Sequence, residues 1–320
     1  MNPEILTISP KDFPGVTSQF RHLAATTGMT EHDVTISRET MEGKKMVIFG
    51  AWSHYYYRAL KRLRAEPVKI GLLWTSPIGQ VGFSPNFIEV SFLYIIKDAI
   101  RSGMLDYLFI PTERILKAFR KIFSEDIVRY LPNTYDIDGI REKYLDVDLQ
   151  PHENWVSLFS PFGVRKNLLN QMLAAKLAGV KLHMNNLIPQ LRDFADLIEL
   201  DYVDMGWMSA ESYFRSIQTM KCGLKVSYSE TFDYSLFDHM VFGIPCLISR
   251  TIEWIQAKEP WLNLIVDNFD DPNEIAEKLK LLVKGDGIVN FYSRKVMELA
   301  REVAEKGNKT CIRTLREAIE

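Results

Sequence analysis

Cysteine is scarce in this chain: Cys222, Cys246 and Cys311 stand far apart, with no C-x-x-C spacing. An odd, scattered set argues against a disulfide framework and against a structural zinc, so a reducing, cytoplasmic setting is expected. No apolar run approaches the roughly 18 residues of a membrane span. The opening MNPEILTISP has no basic segment followed by a long apolar one, so no signal peptide is read. The expected protein is soluble, or at most peripheral to the inner face of a membrane. Neither sign of charge dominates, since 39 Lys and Arg against 41 Asp and Glu leave a formal charge of -2. That balance excludes a globally basic nucleic-acid binder, though not a local basic face. G-x-G-x-x-G is missing after the first apolar run, which argues against a dinucleotide-dependent dehydrogenase. There is no G-x-S-x-G, and no His/Cys/Asp cluster has metal-ligand spacing. Asp146-Val147-Asp148 is formally D-x-D but falls in a polar, proline-bearing stretch that reads as a hinge.

What the chain does have is length and rhythm. Its 320 residues suit two α/β domains of about 150 residues each. Short apolar runs read as strands at Ile5–Ser9, Met46–Gly50, Val68–Trp74, Tyr107–Ile110, Val156–Phe159, Lys181–Met184, Leu224–Ser227, Cys246–Ser249 and Leu264–Val266. Helix-period segments lie between them at Ser18–Thr27, Phe87–Ser102, Arg165–Ala178, Ser209–Met220 and Asn273–Val283. Continuous apolar strands, each followed by a helix, imply parallel sheets covered on both faces. The fold class is therefore α/β, with two doubly wound, Rossmann-like domains facing across a cleft. Residues 1–150 form the expected N-terminal domain and 151–290 the C-terminal one. Residues 291–320 read as a helical segment expected to pack back on the N-terminal domain. Ligands in such sheets bind beyond the carboxyl ends of the strands, so the loops there are where chemistry is sought.

Residues 223–249 read GLKVSYSETFDYSLFDHMVFGIPCLIS. A strand runs into a loop bearing Glu230, and a helix from about Tyr234 carries Asp238. Gly243 and Pro245 supply helix-stop chemistry before the next strand. Backbone N–H groups of Thr231, Phe232 and Asp233 at a helix N-terminus favour an anionic phosphate. On spacing alone, Glu230 reads as an acid that stabilises the helix dipole and Asp238 as a solvated helix residue, before a shared place at one cleft.

This stretch resembles the E-x7-E segment of the retaining glycosyltransferases that include glycogen and sucrose synthases (family 4 and its relatives, of the two-domain GT-B type). Glu230-Thr231-Phe232 stands where that family has E-x-F, and Gly243-Ile244-Pro245 where it has G-x-P. The resemblance implies that Glu230 lies beside the donor sugar and that Asp238 holds the nucleotide's ribose hydroxyls. Asp238 replaces the usual Glu, and Asp233 replaces a glycine beside the diphosphate.

Two further segments fit the same pattern. In Ser160–Lys176, SPFGVRKNLLNQMLAAK, the cations Arg165 and Lys166 stand at a loop–helix junction where the helix dipole opposes them. A leaving diphosphate would give them a partner, and exposed basic loop residues are the other reading. Val203–Trp207 followed by Ser209–Met220 resembles the family's nucleobase loop, which makes Trp207 and Met208 candidates to contact the base. Trp207 as an ordinary core aromatic is equally open. In residues 5–24, Pro14-Gly15-Val16 stands where the family has its glycine loop, placing Gly15 near the donor phosphates.

On the acceptor side, His54 lies in an aromatic run with Trp52, Tyr55, Tyr56 and Tyr57. It reads as a core or capping residue, or as a contact to the transferred sugar. Trp74, Thr75, Ser76 and Gln80 follow another strand at the same edge. Arg114–Arg129 interleaves Arg114, Lys117, Arg120 and Lys121 with Ile115, Leu116, Phe119, Ile122 and Phe123. Such a helix faces a core with a solvated outer side, or meets an anionic membrane or DNA. Arg58, Lys61, Arg62 and Arg64 form a second basic cluster.

These readings together imply transfer of a sugar from a nucleoside-diphosphate sugar to an acceptor hydroxyl, with retention and without a metal or other cofactor. A non-catalytic nucleotide-sugar-binding protein of the same fold, or a transferase acting on modified DNA, are the alternatives.

Overall fold

The computed structural model describes residues 4–8, 14–27, 30–32, 42–50, 60–61, 63–75, 88–160, 163–255 and 260–320. The chain forms two compact units, Met1–Asp136 with Ala304–Glu320, and Ile137–Val303.

The first unit carries β1 (Ile5–Ile8), β2 (Thr30–His32), β3 (Met46–Gly50), β4 (Lys69–Leu73), β5 (Tyr107–Ile110) and β6 (Val128–Tyr130). All pair in parallel, in the order β2-β1-β3-β4-β5-β6. The central strands are apolar on both faces because both are covered. Leu6, Ile8, Val47, Phe49 and Leu72 pack on one side against Ile96, Ala99, Ile115 and Phe119. Ile5, Met46, Ile48 and Leu73 pack on the other against Phe20 and Leu23, together with Cys311, Leu315 and Ala318. The helices involved are α1 (Pro14–Thr27), α2 (Ile88–Arg101) and α3 (Glu113–Ile122), and the last turns of the C-terminal helix. That helix therefore packs on the first sheet, as expected.

The second unit carries α4 (Ile137–Tyr144), β7 (Trp155–Leu158), a 3₁₀ turn (Val164–Lys166), α5 (Leu168–Ala178), β8 (Lys181–Met184), α6 (Pro189–Leu197) and β9 (Tyr202–Asp204). It continues with α7 (Ala210–Gln218), β10 (Cys222–Lys225), α8 (Tyr234–Val241), β11 (Cys246–Ser249), β12 (Ile265–Val266), α9 (Pro272–Lys284) and α10 (Asp286–Ile319), the last continuing into the first unit. Its sheet is again parallel, ordered β12-β11-β10-β7-β8-β9. This is the dinucleotide-binding strand order, whose direction of winding reverses between β7 and β10. The loops leaving those two strands are thereby set side by side.

Several boundaries differ from the sequence reading. The units part at 136/137 and 303/304 rather than at 150/151 and 290/291. Ile140 and Tyr144 of α4 pack with Phe159, Phe214 and Ile217, which ties α4 to the second sheet. The polar stretch after it is fastened there too, by Gln218 accepting from Asp146 N at 2.9 Å and by an Arg215–Asp146 ion pair at 3.0 Å. The helix expected over Arg165–Ala178 is broken at Asn167, whose φ of 54° is left-handed. Asparagine tolerates that region, and its side chain donates to Phe269 O at 2.6 Å. The basic helix expected to reach Arg129 ends at Ile122, and Val128–Tyr130 forms β6 instead. Strand β10 starts and stops two residues earlier than read, at Cys222–Lys225. No helix among the described residues is long and apolar enough to cross a membrane.

Candidate nucleotide-sugar site

The winding reversal brings the loop after β7, with Arg165 and Lys166, against the loop after β10, with Glu230. The backbone fastens them first: Tyr228 N donates to Arg165 O at 2.8 Å. Gln171, buried on α5, ties both loops, donating to Lys166 O at 2.7 Å and accepting from Val226 N at 2.9 Å. On this scaffold Arg165 Nη1 pairs with Glu230 Oε1 at 2.9 Å, and Lys166 Nζ meets the same oxygen. Glu230 and Lys166 are both buried. Two cations on one carboxylate leave a net positive charge, which a second carboxylate, that of Asp233, offsets.

Asp233 is the N-cap of α8, with φ 60°, and its carboxylate accepts from Leu236 N at 3.0 Å. Its other oxygen lies 3.5 Å from Lys166 Nζ. Burial opposes ionisation of this carboxyl, but Lys166, then Lys225, then the Leu236 N–H hold it well below the usual carboxylate range. Part of the anion-attracting capacity of this helix start is therefore taken up by the chain's own carboxylate. Thr231 is half-buried, and Phe232 is buried against Phe237 and Trp254, at ring distances of 5.0 and 5.6 Å.

Asp238 is not a solvated helix residue. It is buried, and Tyr213 of α7 donates its hydroxyl to Oδ2 at 3.0 Å. Behind it, Ser235 Oγ lies 2.9 Å from the Tyr213 hydroxyl and accepts from Lys225 Nζ at 2.7 Å. Lys225 also donates to Phe159 O at 2.5 Å. Burial pulls its ammonium below the ordinary lysine value, against the pull of Asp233. His239 completes this layer, with Nδ1 at 2.6 Å from Ser235 O and Nε2 at 2.6 Å from Ser157 Oγ. A carbonyl only accepts, so Nδ1 carries the proton and Ser157 donates to Nε2. Burial, then the Lys225 charge, pulls His239 down to about 3, leaving it neutral at ordinary pH.

Trp207, in the loop after β9, is 76% exposed, so it is not the core aromatic that the sequence left open. Met208 beside it is half-buried against the Phe159–Phe214 cluster. Gly15 lies in the first turn of α1 rather than in a loop, because that helix begins at Pro14, a residue suited to a helix's first position. His54, Trp52, Tyr55, Tyr56, Tyr57, Arg58, Arg62, Ser76 and Gln80 lie outside the described residues. Trp74 is buried beside Phe119, at a ring distance of 5.8 Å. In α3, Ile115, Leu116 and Phe119 are buried while Arg114, Lys117 and Lys121 are exposed, which is a core-facing helix with a solvated outer side. Asp146 and Asp148 hold a turn, with Asp148 N donating to Asp146 Oδ1 at 3.1 Å. Among the described residues no group of three or more His, Cys, Asp or Glu is set to hold a metal ion.

Tyr213, Lys225 and Gln171 were not singled out from sequence. A lysine in an otherwise apolar strand of a sheet covered on both faces, and a glutamine on the inner side of an apolar helix, are the signals that could have marked two of them.

No protein-family model and no curated protein sequence matches the chain. Solved structures do. HepE of Anabaena, determined with UDP-glucose, superposes with a TM-score of 0.74 at 12% identity, over 98% of this chain and 99% of that one. Sucrose-phosphate synthase of Thermosynechococcus elongatus gives 0.70 at 13%, over 98% and 99%. TarM of S. aureus, determined with UDP, gives 0.64 at 15%, and the 86% of this chain that aligns spans only 55% of it. The chain thus has the GT-B fold of these glycosyltransferases, built of two Rossmann-like units.

Proposed function

We propose that this chain is a glycosyltransferase that moves a sugar from a nucleoside-diphosphate sugar to an acceptor hydroxyl. The convergence of Arg165 and Lys166 on Glu230 at the winding reversal of the second sheet is the observation that carries the reading. In the reaction the acceptor oxygen bonds to the anomeric carbon while the bond from that carbon to the diphosphate oxygen breaks; its electron pair leaves with the diphosphate, which takes up the acceptor's proton. Arg165 and Lys166 neutralise that charge, in exchange for part of their pairing with Glu230. The fold neighbours determined with UDP or UDP-glucose support a uridine donor as the first to test. Retention of configuration rests on the E-x7-E resemblance; Glu230 and Asp238 are both buried, the first held by Arg165 and Lys166 and the second by Tyr213. Protein cations in place of a metal, and a reducing cytoplasmic setting, belong to the same reading; the three cysteines are free and buried. Trp207 is assigned to the nucleobase and Asp238 to the ribose. Calorimetry with UDP and UDP-glucose, followed by assay of UDP release, tests the proposal. Absence of binding by any nucleoside diphosphate would overturn it.

One observation favours a second reading, binding without turnover: Asp233 stands at the helix start beside Lys166, where it competes with a phosphate. Donor binding with no UDP release across a panel of sugar and lipid acceptors would favour that reading.

A further inference from the structure

Three groups stand in line behind Asp238, two of them half-buried and the last, Lys225, buried. A carboxylate only accepts, so the Tyr213 proton is committed to Asp238 Oδ2 at 3.0 Å. The phenol oxygen is then an acceptor toward Ser235 Oγ, 2.9 Å away. Lys225 has only donors, and it gives one proton to Ser235 Oγ at 2.7 Å and another to Phe159 O. Ser235 has one hydroxyl proton, with two acceptors in reach of it: the Tyr213 oxygen at 2.9 Å and, more distantly, Phe159 O at 3.1 Å. The sequence Lys225 to Ser235 to Tyr213 to Asp238 connects a cation to an anion, its first and last links fixed in direction and its middle link the shorter of the two contacts open to the Ser235 proton. Chains of this kind strengthen link by link in a low-dielectric interior.

The placement of the cation is the telling part. Among the described residues Lys225 makes no direct ion pair, although it is only 3% exposed. A lysine needed merely to offset Asp233 would sit against it. Lys225 is anchored instead on Phe159 O and Ser235, at the far end of a relay to Asp238. Asp238 itself has one methylene less than a glutamate in its place would have, so its carboxylate has less freedom to swing toward a ligand. A carboxylate with short reach is effective only if its direction is fixed.

Resting on the donor-site reading above, we infer that Tyr213 is a positioning residue which, held by Ser235 and Lys225, aims the Asp238 carboxylate at the vicinal hydroxyls of the donor's ribose and so makes the site selective for ribonucleotides. Tyr213 touches no substrate; its effect passes through Asp238. Its loss therefore weakens binding only for ligands that carry the hydroxyl pair. A merely structural role would weaken all ligands alike.

The test compares uridine, guanosine and adenosine diphosphates, each beside its 2′-deoxy counterpart, by calorimetry on the full chain. Wild type is expected to favour the ribose form of its preferred base by about tenfold or more, about the effect of one well-made hydrogen bond to a charged group. Tyr213→Phe is expected to reduce that ratio to near unity while 2′-deoxy affinity stays within about twofold. Ser235→Ala, which cuts the chain one link further back and removes fewer atoms, is expected to lower the ratio by a smaller factor. Thermal melting confirms that each variant is folded. If folded Tyr213→Phe or Ser235→Ala keeps the wild-type ratio, the positioning role is overturned. Wild type that binds a nucleoside diphosphate without preferring ribose overturns it as well. Wild type that binds none of the six compounds overturns the donor-site reading and the inference with it.

Discussion

Lys166 and Glu230 are 64 residues apart in sequence and joined side chain to side chain, inside a unit whose strand order sets their two loops side by side. The pair is a product of topology: β7 and β10 are adjacent only because the sheet reverses its winding between them. It follows that neither residue is replaceable by a local substitute. Lys166→Ala is expected to lower donor turnover by about 100-fold or more, the range seen when one donor to a developing negative charge is removed. Glu230 still has Arg165 at 2.9 Å, so the variant should keep its circular dichroism spectrum. Turnover within about threefold of wild type, far below that range, would mean that Lys166 does not stabilise the leaving diphosphate.

How much of this was legible beforehand depends on where each residue sits in the sheets. The central strands β1, β3, β4, β5, β7, β8 and β11 were readable as apolar runs because they are buried on both faces. The strands that were missed, β2, β6 and β9, are three of the four sheet edges. Each is three residues long; β2 is wholly polar, and β6 and β9 mix polar with apolar positions. Within the candidate site, Glu230, Lys166 and Arg165 were singled out through resemblance to the family's motifs. Their mutual pairing was not, since spacing says nothing of which loops a winding reversal makes neighbours. Tyr213 was invisible for a different reason. A tyrosine on an amphipathic helix is ordinary, and only the third dimension puts its hydroxyl on Asp238.

Trp207→Ala separates base contact from core packing. The indole is 76% exposed and no described residue needs it for support, so stability should change by no more than about 0.5 kcal/mol. Stacking of a nucleobase on an aromatic ring is worth about 1–3 kcal/mol, so affinity for the donor should fall by about tenfold. Calorimetry and a thermal melt on one preparation read both quantities. A large loss of melting temperature with unchanged affinity would return Trp207 to a structural role.

Gly307→Ala sets two opposing effects against each other. Inside a helix, alanine is better than glycine by about 1 kcal/mol, which would favour the variant. A Cβ at Gly307, however, would lie 2.6 Å from the backbone carbonyl oxygen of Asn133, a group that cannot swing aside. Gln19 also donates to the side chain of Asn133, so that segment is fixed from the other side as well. Overpacking of this kind costs about 1–3 kcal/mol and should win. Urea denaturation is expected to show a less stable variant; a more stable one would mean that the last turns of α10 are free to shift on the first sheet.

Acid should weaken the protein well before its carboxylates protonate, and the sign follows from two neutral histidines. His239 is lowered to about 3 and His22 to about 4, in each case by burial first and then by a neighbouring cation, Lys225 or Arg21. The geometry agrees, since His22 Nδ1 accepts from Asp136 N at 3.2 Å and His239 Nε2 accepts from Ser157, neither of which an imidazolium could do. In the unfolded chain both titrate near 6.5, so below that pH the unfolded state binds more protons and gains stability relative to the folded one. Stability is therefore full above about pH 6.5 and falls as pH drops toward 4 for His22 and 3 for His239. Between pH 6.5 and 4.5 His239 alone should account for roughly 2–3 kcal/mol. The lowered carboxyl of Asp233 adds a loss of the same sign at still lower pH, since it is ionised in the folded state where the unfolded one is protonated. Urea denaturation from pH 8 to 4.5 reads the slope directly. His239→Gln, which keeps a donor and an acceptor without a titratable group, should be less stable at pH 7 but show a visibly shallower dependence between pH 6.5 and 4.5. An unchanged slope in that variant would place the acid sensitivity in a different group.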